Sequence, residues 1–133
     1  MTASLRSAKL AKSTAVHVGF AVVAMGGWAA FANLGHPIAR LAIAAAVQGP
    51  LSGSITVVLK RTLEAMGAAL PLRLTWFVPP LVTCIGVLAI LVGAHLAAGT
   101  PEIARTIAMP YAVSSTYAWV YAYSLYAERK AAT

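Results

Sequence analysis

Apolar residues along this chain come in four long runs: Thr14 to Leu34, Ile38 to Leu59, Leu74 to Ala98 and Ile103 to Leu125. Each is about 20 residues or more, the length an α-helix needs to cross a bilayer. The pattern predicts an all-α, polytopic membrane protein with four transmembrane helices and a single membrane domain over residues 1–133. Residues 1–13 form a basic N-terminal segment. There Leu5, Leu10 and Ala11 alternate with Arg6, Lys9 and Lys12, which suits a short interfacial helix or a solvated tail equally. A signal peptide ending at Ala30-Phe31-Ala32 is the rival reading of the N-terminus, but the apolar run is too long for it.

The breaks between the runs repeat. Gly35-His36-Pro37 separates the first two and Gly99-Thr100-Pro101 the last two, each pairing a helix-ending glycine with a helix-starting proline. The likeness continues into Ile38-Ala39-Arg40 and Ile103-Ala104-Arg105, so two tandem helical hairpins are expected, related as parallel repeats. Aligning Arg40 with Arg105 lays Gln48-Gly49-Pro50-Leu51-Ser52 over Val113-Ser114-Ser115-Thr116-Tyr117. The polar middles of the second and fourth runs then fall at one depth. In the third run Pro79 and Pro80 cannot donate to Thr75 and Trp76, so the helix is expected to restart there, with Trp76 as an interfacial anchor.

Composition agrees with a membrane location, at 60% hydrophobic and 10% charged residues, where soluble domains carry about 25% charged residues. The formal net charge of +7 does not indicate nucleic acid, because the cations flank the spans and form no stripe with interleaved aromatics. Arg6, Lys9, Lys12, Lys60, Arg61, Arg73, Arg129 and Lys130 share one side and only Arg40 and Arg105 the other. The positive-inside rule therefore places both termini and the middle loop in the cytoplasm. The one cysteine, Cys84, lies inside a span and reads as a small core residue.

Candidate chemistry is sparse. Glu64, Glu102 and Glu128 lie near the surfaces on opposite sides, so no carboxylate pair is poised for acid–base work and an enzyme is not expected. His36 and His95 share the outer side but lack a third ligand type, so no metal and no cofactor is assigned. His17, a turn inside the first run, reads as a hydrogen-bonder at headgroup level.

What remains is the polar, glycine-rich and proline-broken middle. Gln48 lies about ten residues into its helix, roughly 15 Å deep. Pro50 and Pro110 free the carbonyls of Ala46 and Thr106. Gln48, Ser52, Thr56, Ser114, Ser115 and Tyr117 are the pathway candidates, with Gln48 expected to point into the bundle or an oligomer seam near Ser52 and Ser114-Ser115-Thr116, and Tyr117 facing other helices. The alternative is packing: Ala45, Gly49 and Gly53 form a small-residue ridge for another helix, with Ser52 and Thr56 bonding across it. Gly26 and Ala30 make a second such pair. Lys60, Arg61, Arg129 and Lys130, at helix C-termini on the inner side, are candidates for lipid phosphate.

Four short spans in two hairpins with a basic middle loop resemble the GtrA-like small membrane proteins. In that family the second span typically ends in an asparagine–arginine–aromatic signature, of which Leu59-Lys60-Arg61-Thr62-Leu63-Glu64 keeps the basic pair. The resemblance implies a role in moving polyprenyl-phosphate-linked sugars across the inner membrane. The expected function is accordingly a small transporter or lipid translocator acting as a homo-oligomer, with membrane lipids as partners. The alternative is a non-catalytic accessory subunit docked on a larger membrane-protein partner.

Overall fold

The computed structural model describes residues 2–133, with side chains from residue 13 onward. It contains four α-helices and no strand among the described residues: α1 (Thr2–Ala32), α2 (Ile38–Ala69), α3 (Val78–Ala97) and α4 (Ile103–Ala131), with a 3₁₀ turn at Leu72–Leu74. Three of them contain stretches long and apolar enough to cross a membrane, Ser13–Ala32, Ile38–Ala69 and Val78–Ala97. The fourth, at 29 residues, has the length; its apolar character is diluted by Ser114, Ser115, Thr116 and five tyrosines. The basic N-terminal segment runs into the first span without a break, and its side chains lie outside the described ones. Helix α2 continues ten residues beyond the expected end at Leu59, carrying Lys60, Arg61 and Glu64 on helical backbone. Helix α3 begins at Val78 with Pro79 and Pro80 in its first turn, where a missing N–H is harmless.

The exterior is apolar on every helix. Phe20 (72% exposed), Val23 (75%), Ile85 (62%) and Val120 (65%) face outward, whereas Asn33, Gln48, His95 and Thr106 are wholly buried. A soluble protein distributes these residues the other way. In lipid the arrangement is the stable one, because the interior is where polar groups find partners. The central core joins α2, α3 and α4 through Ile55, Leu59, Leu63, Cys84, Val87, Leu91, Ile107, Ala118 and Ala122.

Helix α1 is fastened to α2 by glycine contacts. A Cβ on Gly49 would stand 3.0 Å from the Val22 carbonyl oxygen, one on Gly26 3.3 Å from that of Ala45, and one on Gly53 3.0 Å from Val22 Cγ2. The expected small-residue ridge is present and α1 occupies it. The second hairpin is built otherwise: Gly86 and Gly93 of α3 have nothing within 4 Å of where a Cβ would be.

The two outer turns also differ. Gly99 has a φ of +65°, its N–H bonds to Leu96 O (3.1 Å) and the Thr100 N–H to His95 O (3.0 Å). This is a Schellman ending, with glycine where a side chain would be strained. Gly35 stays in ordinary backbone conformation, and α1 closes through tight bonds such as His36 N to Asn33 O (3.0 Å). The expectation that the two glycines end their helices alike is corrected here.

Candidate functional site

The two ends of the bundle hold its polar side chains. At the turn end they bond to one another. Asn33, at the close of α1, donates from Nδ2 to Ala29 O (2.8 Å) and Thr106 Oγ1 (2.8 Å) and accepts the Glu102 N–H at Oδ1 (3.1 Å). Thr106 donates to Glu102 O (2.7 Å), and His36 Nε2 meets Glu102 Oε1 at 3.0 Å. Trp28 Nε1 donates to Arg105 O (2.9 Å), and Arg40 Nη1 to Gly99 O (3.2 Å). Most of these bonds tie one hairpin to the other, and that from Asn33 to Ala29 O caps α1, whose last carbonyls would be orphaned in lipid.

Deeper on the same side runs a buried chain. Gln48 Nε2 donates to Ser52 Oγ (2.5 Å), while Gln48 Oε1 lies 2.7 Å from His95 Nε2. His95 Nδ1 lies 2.8 Å from Thr100 Oγ1. Since an amide oxygen only accepts, His95 donates from Nε2, and in the neutral ring Nδ1 accepts the Thr100 hydroxyl. Gln48 is buried and bonded to Ser52 as expected, but its partner on another helix is His95 of α3 and not Ser114-Ser115-Thr116 of α4. Sequence reading placed His95 on the outer side; its reach to a glutamine ten residues along α2 appears only once the helices are docked. His36 and His95 are held in separate bonds and form no pair, and no group of three or more metal-ligating side chains occurs among the described residues.

Of the remaining pathway candidates, Thr56 and Tyr117 share the lining of one cleft, whereas Ser114 and Ser115 do not reach it. Thr56 bonds to Ser52 O (2.8 Å) and Ser114 to Pro110 O (2.7 Å), each within its own helix, so the expected bonds from Ser52 and Thr56 across the ridge do not occur among the described residues. Ser54 bonds in the same way to Pro50 O (2.9 Å) and Thr83 to Pro79 O (2.9 Å). Ser115 Oγ is buried without a partner among the described residues. Tyr117 is 39% exposed, its ring stacked on Tyr121 at 5.3 Å, and it lines a cleft shared with α1 and α2.

At the opposite, basic end a cleft of about 430 Å³ opens between α1, α2 and α4. That lies within the usual range for small-ligand sites. Ser13, Thr14 and His17 of α1, Thr56, Lys60, Arg61 and Glu64 of α2, and Tyr117 of α4 line it. Lys60, Arg61 and Glu64 enter because α2 outlasts its apolar run, so consecutive turns present a hydroxyl, two cations and a carboxylate. Lys60 Nζ is 4.0 Å from Glu64 Oε1, which also accepts the Tyr121 hydroxyl at 2.6 Å. His17 Nδ1 donates to Ser13 O (2.6 Å). Arg61 has no hydrogen-bond or ion-pair partner among the described residues. A shallow apolar groove along α4, lined by Ala112, Val113, Thr116 and Val120, meets the cleft at their shared Tyr117.

The four lipid-phosphate candidates thus divide. Lys60 and Arg61 line the cleft. Arg129 is engaged by the carbonyls of Gly67 and Leu70 (2.9 Å for the latter), closing the C-terminus of α2, and Lys130 lies 5.9 Å from the Tyr126 ring centre. Glu64 was set aside in the sequence as a surface carboxylate; its spacing of three from Arg61 and four from Lys60, on one helical face, was the available signal. Comparison of the chain with protein-family models, curated proteins and solved structures finds no match.

Proposed function

We propose that this chain is a small transport protein of the inner membrane that moves lipids or lipid-linked substrates without catalysing a reaction. The cleft at the basic end carries the reading. It places cations and hydroxyls beside an apolar groove, the combination an amphiphile with a polar head requires. In this proposal α4 is the fourth span, the hairpins are parallel repeats, and both termini are cytoplasmic. The resemblance to GtrA-like proteins belongs to it as well, resting on span order and the basic middle connection. The turn end is closed by its own hydrogen bonds, so one chain offers no end-to-end route; transport then takes place at a seam between copies.

Reconstitution in vesicles with tail-labelled fluorescent lipids tests this directly. Bleaching of the outer leaflet should proceed to completion with the protein and stop near half without it. Folded protein that leaves the plateau at half would rule the translocator out. A second reading, an accessory subunit for a larger membrane protein, draws on the open face of α3, where Gly86 and Gly93 would admit a close helix. It predicts inert vesicles and co-purification with one stoichiometric membrane partner.

A further inference from the structure

The charged side chains of the cleft are of both signs. Lys60 and Arg61 would suit any phosphate, yet Glu64 stands one turn further on the same wall and would repel a purely anionic head. Its Oε1 takes the Tyr121 hydroxyl at 2.6 Å and faces Lys60 at 4.0 Å, leaving Oε2 without a partner among the described residues. An exposed pair at that distance is weakly held, so Lys60 can be exchanged for another cation at little cost. Tyr117, at the cleft wall and stacked on Tyr121 at 5.3 Å, presents an aromatic surface of the kind that attracts ammonium groups.

From this arrangement we propose that the cleft binds a zwitterionic phospholipid whose head carries a phosphodiester and a primary ammonium, as in phosphatidylethanolamine. The phosphate lies between Lys60 and Arg61. The ammonium takes the place of Lys60 on Glu64, beside the Tyr117 ring. Binding therefore replaces one weak internal pair with two pairs to the ligand, and Glu64 becomes the residue that sets specificity. An acyl chain leaves the head along Ala112, Val113, Thr116 and Val120, in the groove that meets the cleft at Tyr117. The inference rests on the lipid-handling reading above, but concerns which head is held and not whether it is moved.

The test is lipid binding to the detergent-solubilised full chain, measured by native mass spectrometry with phosphatidylethanolamine, phosphatidylcholine and phosphatidylglycerol of identical acyl chains. Phosphatidylethanolamine should bind about tenfold more tightly than phosphatidylglycerol, the contribution of one well-placed charge-assisted contact. Glu64→Gln should erase that preference, and Arg61→Ala should weaken all three lipids alike. Helix content by circular dichroism identifies any variant that has failed to fold; Glu64→Asp, which keeps the charge, should retain the preference and serves as the second variant. Equal or tighter binding of phosphatidylglycerol to the unaltered protein, or a preference surviving Glu64→Gln, overturns the proposal. Equal binding of phosphatidylcholine overturns the primary-ammonium requirement. Vesicle translocation is read separately: selective binding without translocation removes the transport reading alone, and translocation without selectivity removes this one alone.

Discussion

The turn end and the basic end of the bundle use the same residue types to opposite effect. Each has a histidine, a glutamate, an arginine and side-chain hydroxyls. At the turn end Asn33, His36, Arg40, Glu102 and Thr106 meet across the two hairpins at hydrogen-bonding distance. At the basic end Lys60, Arg61 and Glu64 lie along one helix and His17 bonds only to its own, while the hairpins are joined by Tyr121 on Glu64 and Arg129 on the end of α2, which leaves Lys60 and Arg61 facing the cleft. Closure depends on where the chain presents partners, not on which residues it has. Helix termini in lipid demand satisfaction and draw polar groups inward; the side chains one to two turns before the end of an extended helix, Lys60, Arg61 and Glu64, are under no such demand.

The difference can be broken most severely at Asn33. Asn33→Leu removes three hydrogen bonds, two of them between hairpins. At the strengths typical of membrane hydrogen bonds this should cost about 2–4 kcal/mol, measured by reversible unfolding in mixed micelles. A loss below about 0.5 kcal/mol would show that the turn end is not held by these bonds.

Packing of α1 on α2 comes next. Gly49→Ala would set a methyl 3.0 Å from the Val22 carbonyl oxygen, a backbone atom that cannot swing away, and overpacking of this kind costs about 1–3 kcal/mol. Gly86→Ala, with open space around it, should leave stability within about 0.5 kcal/mol of the unaltered protein. The pair of variants, compared in one unfolding assay, separates a glycine needed for close approach from one that is not.

The hairpins were legible in the sequence because apolar run lengths and Gly-x-Pro breaks are local features. So was the glycine ridge, since residues four apart share a helical face. Less legible was anything set by helix docking. Gln48 was placed correctly in depth and burial, but its partner depends on the stagger of α3 against α2, which sequence spacing does not encode. Asn33 carries no signal in the sequence, because a lone asparagine at the end of an apolar run looks like a turn residue until Glu102 and Thr106 are docked beside it. Glu64 reads in the sequence as a lone surface carboxylate, because its neighbours in the cleft come from α1 and α4 and are assembled only by docking.

Gln48→Leu is an intermediate case. It strands His95 Nε2 and Ser52 Oγ, for a loss of about 0.6 kcal/mol and up to about 2, while the lipid movement proposed for the cleft at the other end should be unchanged. A variant of normal stability that no longer moves lipid would return Gln48 to the pathway. The smallest stability effect is expected at Lys60→Ala: the Lys60 and Glu64 side chains are 53% and 45% exposed, and exposed pairs contribute about 0–1 kcal/mol. The same substitution should raise translocation half-times, so its stability and activity effects differ in size.

The bond from Asn33 to Glu102 spans 69 positions of the chain, and this separation bears on how the protein is made. At about 5–20 residues per second, the ribosome reaches Glu102 roughly 3–14 s after Asn33. During that interval α1 and α2 can associate through their glycines, but Asn33 and Gln48 have no partner from the second hairpin. The first hairpin is thus a provisional assembly intermediate, with two polar side chains that a membrane quality-control protease or insertion chaperone can sense. Chains halted after residue 70 should be degraded faster than the full-length protein in a pulse-chase experiment, and Asn33→Leu with Gln48→Leu should lengthen their half-life. An unchanged half-life would mean that the unfinished hairpin is not recognised by these groups.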